Sequence, residues 1–171
     1  MQQYKEKQKS LSKDKVQNEN KFGNISALEE EIRRQATNIT EFHSMEILHQ
    51  YDIPVNPGIL VNDTESVVKA AETLDCPVAL KIQSADIPHK SSAGGVALNL
   101  TGKDEVVTSF NTIIQNIKNN NPTASIDGIL VQKMAEPGLE VILGITNKDG
   151  FGPILMVGFG GTSVCLLYTS D

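Results

Sequence analysis

An α+β fold is what the sequence predicts: one small sheet in the order β-α-β-β-α-β with two helices on one face, then the start of a second subdomain. Three observations carry that prediction. Four short runs rich in Val, Ile and Leu, "GILV" (58–61), "PVALKI" (77–82), "GVALNL" (95–100) and "DGILVQKM" (127–134), are bounded by turn-forming residues. Between them lie two stretches with apolar residues at helical spacing: Val67, Ala70, Ala71 and Leu74, then Val106, Phe110, Ile113, Ile114 and Ile117. Two further strands, "LEVILGI" (139–145) and "PILMVGF" (153–159), run past one complete unit.

Taken in order, residues 1–24 hold six lysines and three acids with few aliphatics. Such a segment cannot bury enough surface to offset the entropy of ordering, so a disordered polar tail is expected. Ser26-x-x-Glu29 has the form of a capping box, and Leu28 and Ile32 follow it as a thin stripe, which reads as a linker helix over 25–38. Thr40 caps a helix "EFHSMEILHQY" with Phe42, Met45 and Leu48 facing inward, and Pro54 pushes the residue before it out of the helical region. Asp63 caps the next helix, and "NNNP" stops the long one. "NKDG" forms the turn between the last two strands, with Gly150 free to take positive φ. The first subdomain is thereby set at 39–135, the start of the second at 136–164, and a terminal tail at 165–171.

Composition removes several classes of function. A net charge of −6 lacks the basic balance of a nucleic-acid binder, and eight aromatics with no Trp offer little for base stacking. Cys76 and Cys165 stand far apart with no companion ligands, so neither a zinc site nor a disulfide framework is expected. The N-terminus "MQQYKEKQKSLSKDK" has no apolar core of a secretory signal, and no apolar run is long enough to span a membrane. A cytoplasmic protein that binds neither nucleic acid nor membrane is the expectation.

The stretch with chemistry in it is "LKIQSADIPHKSSAGGVALNL" (80–100). A phosphate needs a cation, backbone N–H groups without other partners, and room for the main chain to come close. Lys81 at the edge of a strand supplies the cation, and Gly94 and Gly95 supply the other two, N–H groups without other partners and room, because glycine allows close approach and unusual φ/ψ. His89, Lys90, Ser91 and Ser92 add polar groups in the same loop. The residues alone leave a second reading open: two glycines opening a strand are more often a bulge or tight turn, and an edge lysine is more often solvated. The chain between "LVQKM" and "LEV" passes from one subdomain toward the other, a common place for a ligand.

Read together, "ILHQYDIPV", "PVALKIQSADIPHKSSAGGVALNL" and "GILVQKMAEPGLEVILGITNKDGFGPILMVGFGG" resemble the ATP-grasp domain of ADP-forming acyl-CoA synthetases, acetate–CoA ligase (ADP-forming) among them. The resemblance runs from about Thr40 to Gly161. It implies that the first unit and the strands after Gln132 are the two ATP-grasp subdomains, with ATP or ADP between them. Lys81 then matches the lysine that holds nucleotide phosphate, and His89 to Gly95, with Lys90, Ser91, Gly94 and Gly95, match the loop that closes over the phosphates. Gln132, Lys133 and Met134 match the hinge whose backbone meets adenine, and Glu140 the acidic position near that pocket. His89 stands in the "HKS" motif, either as a phosphoryl relay or as a polar residue that orients the loop. The implied reaction converts acyl-CoA, ADP and phosphate reversibly to acid, CoA and ATP through acyl phosphate and phosphohistidine. The parent is thus an acid–thiol ligase, with a CoA-binding α subunit or domain as partner.

Two departures from the family stand out. Lys133 occupies a hinge position that often holds an acid. After "GFGG" the chain reads "TSVCLLYTSD", where the family continues into the stretch holding its Mg²⁺ ligands. The expectation is a truncated chain whose residues 165–171 are not native, with no metal ligands of its own and no competence alone. An alternative carrying similar motifs is the ATP-grasp-like regulatory module of a protein acetyltransferase, and a third is a structural remnant with no ligand.

Overall fold

The computed structural model describes residues 39–75 and 77–160; the expected tail, the linker helix over 25–38, Cys76, Cys165 and residues 165–171 lie outside the described residues. Helix α1 covers Glu41–Gln50, followed by β1 Gly58–Val61, α2 Thr64–Leu74, β2 Val78–Gln83, β3 Val96–Leu100, α3 Lys103–Asn120 and β4 Gly128–Lys133. Strands β5 Val141–Lys148 and β6 Gly152–Phe159 complete the described chain. It divides into two compact units after Met134.

In the first unit the strands are ordered β1-β4-β2-β3, and every neighbouring pair is antiparallel. β1 and β2 both oppose β4, so they run parallel to one another with β4 between them. That is a split βαβ arrangement, and β3-α3-β4 repeats it around β2. The predicted element order therefore stands.

Alternation along the strands decides what is buried. On β2, Val78, Leu80 and Ile82 enter the core with Ile129 and Val131 of β4, and α2 and α3 cover them with Val67, Ala70, Ala71, Val106, Phe110, Ile113 and Ile117. Leu80, Ile82 and Ile129 are 0% exposed, and burying each such side chain contributes roughly 1.5–3 kcal/mol. α2 begins after Asp63, the cap that the sequence predicts, whose carboxylate accepts from the Ser66 N–H at 2.7 Å in a reciprocal capping box.

The other face of the sheet carries Ala79, Lys81, Gln83, Leu130 and Gln132. α1 reaches it through Glu41, Phe42 and Met45, which bond to Lys81, Gln83 and Gln132. Leu48 departs from the expected inward stripe: it is 39% exposed, and α1 buries no residue fully. This helix is held by polar ties along its first half, so its last turn needs no apolar face.

The second unit is a two-stranded antiparallel hairpin in regular register from Val141↔Phe159 to Lys148↔Gly152. Asn147 and Lys148, predicted as turn, belong to the ladder; the turn is residues 149–151, with Gly150 at φ +84°. The strand predicted at 139–145 is thus displaced to Val141–Lys148, and the connection is tighter.

Candidate functional site

The site begins with two glutamines that a polar sequence would place on the surface. Gln83 is fully buried at the end of β2, and its Oε1 accepts from the Phe42 N–H at 3.1 Å while its Nε2 donates to the Ile82 carbonyl at 3.0 Å. An N–H in the first turn of a helix has no partner within the helix, so a side-chain acceptor there fixes where the helix starts. Thr40, in extended conformation, is the N-cap. Together they set Glu41, the first residue of α1, against Lys81.

Lys81 Nζ donates to Glu41 Oε1 at 2.7 Å and to Gln132 Oε1 at 2.9 Å. Lys90, from the loop, donates to the other oxygen, Glu41 Oε2, at 3.1 Å. Gln132 is itself nearly buried, and its Nε2 donates to the Asn56 carbonyl at 3.1 Å and to Met45 Sδ at 3.3 Å. Partial burial alone would raise the Glu41 carboxyl, but the hydrogen bonds and positive charge of Lys81, then of Lys90, outweigh it and hold the group below the usual carboxylate range. Beside this trio opens a depression of about 380 Å³ lined by Glu41, Lys81, Pro88, His89, Lys90, Ser91, Ser92 and Val96.

The glycines serve a tight turn, the second reading that the sequence left open. The Gly95 N–H donates to the Lys90 carbonyl at 2.8 Å, the Gly94 N–H donates to the Ser91 carbonyl at 3.1 Å, and Gly94 sits at φ +71°. This 6→1 and 5→2 pair with a left-handed glycine is a Schellman motif closing a helical turn over Lys90–Ala93. The expectation that both glycines offer unpartnered N–H groups is thus corrected: each is already spent. A Cβ on Gly95 would lie 2.4 Å from Ile82 Cγ2, and one on Gly94 would lie 2.8 Å from Asn116 Nδ2, which donates to the Gly94 carbonyl at 3.2 Å. Glycine is therefore required here by packing and by φ, whatever the loop binds.

Of the expected hinge, Gln132 lies inside β4, opposite Ala79 on one side and Gly58 on the other, with its side chain in the Lys81 network. The Lys133 carbonyl accepts from Asn56 Nδ2 at 2.7 Å, and the Met134 N–H donates to the Pro77 carbonyl at 2.9 Å. Glu140 belongs to the second unit, where its carbonyl accepts from the Gly160 N–H at 2.8 Å. The structure thus brings Lys81, His89, Lys90 and Ser91 to one depression, adds the Gln132 side chain behind Lys81, and leaves Lys133 exposed. Glu41 and Gln83 were missed by sequence reasoning; the one signal that could have found Glu41 is its place just after the predicted cap, Thr40.

Chemically, two ammonium groups around one carboxylate leave a net positive charge at the depression. An ammonium has three N–H donors. Lys81 places two on Glu41 and Gln132, and Lys90 places one on Glu41, so donors remain for an anion. Among the described residues no group of three His, Cys, Asp or Glu side chains could hold a metal ion. Glu41, the acid at the depression, is taken by two lysines, so these residues do not fit a Mg²⁺ ion.

Comparison with known proteins places this geometry. Residues 30–170 match the family described as the ATP-grasp domain. The chain is 40% identical over 135 residues to a 4-hydroxybutyrate–CoA ligase (ADP-forming) of Nitrosopumilus maritimus, covering 79% of this chain and 19% of that protein. It is 37% identical over 138 residues to the beta subunit of acetate–CoA ligase (ADP-forming) I of Pyrococcus furiosus, covering 81% of this chain and 60% of that subunit. Among solved structures, a dinucleotide-forming acetyl-coenzyme A synthetase of Ca. Korarchaeum cryptofilum in complex with coenzyme A, Ca-AMPCP and HgCl⁺ superposes with a TM-score of 0.75 at 38% identity, over 79% of this chain and 59% of that one. The chain thus spans between about a fifth and three fifths of the length of these relatives.

Proposed function

The chain belongs to the ATP-grasp family, and from that membership we propose that it is the phosphate-facing part of the nucleotide-binding domain of an ADP-forming acyl-CoA synthetase. The parent reaction would convert acyl-CoA, ADP and phosphate to acid, CoA and ATP, reversibly, through acyl phosphate and phosphohistidine. A CoA-binding α subunit or domain would be the partner. The observation that carries this reading is the convergence of Lys81 and Lys90, from a strand and a loop, on one depression with N–H donors to spare. Phosphoryl transfer asks mainly for positioning and charge neutralisation. Lys81 and Lys90 would neutralise phosphate oxygens, the Ser91 hydroxyl would donate to one, and His89 at the same rim would be the candidate to carry a phosphoryl group. Glycines 94 and 95 would act by fixing the loop against Ile82 and Asn116. Any Mg²⁺ used with the nucleotide would be held by ligands other than the residues described.

The test is calorimetric titration of Mg-ADP and Mg-ATP into this chain, with Lys81→Met alongside. Saturable binding is expected, weakened by about 10- to 150-fold in the variant, the value of one charge-assisted hydrogen bond. A folded sample that gives no saturable heat with either nucleotide overturns the phosphate-site reading for this chain.

A further inference from the structure

The carboxylate at the centre of the site is the feature that the proposed nucleotide reading leaves unexplained. A negative charge beside a phosphate pocket should repel the ligand, yet Glu41 touches both cations that would hold it. Each of its oxygens serves a different lysine: Oε1 the Lys81 of strand β2, Oε2 the Lys90 of the loop. Among the described residues Glu41 alone bonds to both ammonium groups, and their like charges would otherwise drive the loop lysine away from the sheet. Glu41 is placed to prevent this because its own position is fixed from behind, by Thr40 as cap and by buried Gln83 on the Phe42 N–H. The bonds to Glu41 and Gln132 still leave one donor on Lys81 and two on Lys90.

We propose that Glu41 is a positioning residue: its carboxylate clamps the loop lysine Lys90 to the strand lysine Lys81, so that an incoming phosphate meets both ammonium groups already in place. The anion then uses the donors that Glu41 leaves over and does not displace it. Because Lys90 opens the turn that Gly94 and Gly95 close, the clamp also fixes the first residue of that turn, and α1 and the loop become one mechanical unit. The role rests on the nucleotide reading for the identity of the anion, but the clamp itself is a property of the protein without ligand.

The experiment uses Glu41→Gln in the full chain, with two readouts. Amide hydrogen exchange of the unliganded protein reports on the loop: the variant is expected to exchange the Gly94 and Gly95 N–H groups about tenfold faster, with α3 unchanged. Calorimetry with Mg-ADP reports on the site: affinity is expected to fall about tenfold, although the substitution adds one unit of positive charge. The sign is decisive, since a carboxylate that merely blocked the pocket would give tighter binding once neutralised. Tighter or unchanged binding, or unchanged loop exchange, overturns the proposal. Faster loop exchange in a protein whose wild type binds no nucleotide keeps the clamp and overturns the nucleotide reading. Should Glu41→Gln melt early, Glu41→Asp keeps the charge but shortens the reach, and the same loosening of the loop is expected from it.

Discussion

Strands β2 and β5, "VALKIQ" and "VILGITNK", share the alternation Val-x-Leu-x-Ile and meet opposite fates. Leu80 and Ile82 are 0% exposed beneath α2 and α3, whereas Leu143 and Ile145 are 70% and 77% exposed. The difference lies in what comes next in the chain: β2 is followed by an edge partner, a long amphipathic helix and a central strand, β5 by β6 and a turn. An apolar strand is a request for a second layer, and among the described residues only the first unit contains one. Hairpins without such a layer are marginal in water.

Substitutions in the two strands would sharpen this contrast. Leu80→Ala should cost about 2–5 kcal/mol through the cavity it leaves, and Leu143→Ala about 0.5 kcal/mol or less, since it removes little buried surface. Urea unfolding of both variants checks it; a Leu143→Ala loss as large as that of Leu80→Ala would show that the hairpin face is covered in solution. An effect smaller than that of Leu80→Ala is expected of Gly95→Ala, about 1–3 kcal/mol from overpacking against Ile82 Cγ2, and in a double-mutant cycle with Ile82→Ala, which removes that carbon, the double variant should lose less than the sum of the two single losses. Additive losses would mean that Ile82 is not the obstacle.

The mildest prediction concerns pH. The Glu41 carboxyl is held below its ordinary range in the folded protein, so its contribution to stability is complete above about pH 4–5 and is lost as pH falls through the depressed value. The urea midpoint of the wild type should therefore drop more steeply on acidification than that of Glu41→Gln, and parallel curves would remove Glu41 from the account.

The elements were legible because helical and strand periods differ, and Asp63 announced its helix through a local cap. Lys81 was legible as a lone cation interrupting an apolar strand. Glu41 was not, because the contact joins residues forty positions apart on a helix with a weak apolar stripe, and nothing local marks it. Gln132 was assigned through its backbone, whereas its side chain does the bonding: a central strand leaves the main chain engaged on both edges and only the side chain available. The glycines were read as open donors because a short helical turn before them, Lys90–Ala93, carries no periodic signal of its own. Leu48 misled for the opposite reason, having the spacing of a buried face on a helix that polar ties hold.

The strand order also sets a timetable. β4 lies between β1 and β2 although it is made last of the four, with Gly58 opposite Gln132. A chain emerging from the ribosome holds β1 without its neighbour β4 until β4 follows, an interval on the order of ten seconds at ordinary rates of synthesis. Through that interval the hydrogen-bonding edge of β2 that β4 will occupy stands open, and with it the strand that carries Lys81. Nascent chains of this protein are thus most in need of a chaperone just before residue 128 appears.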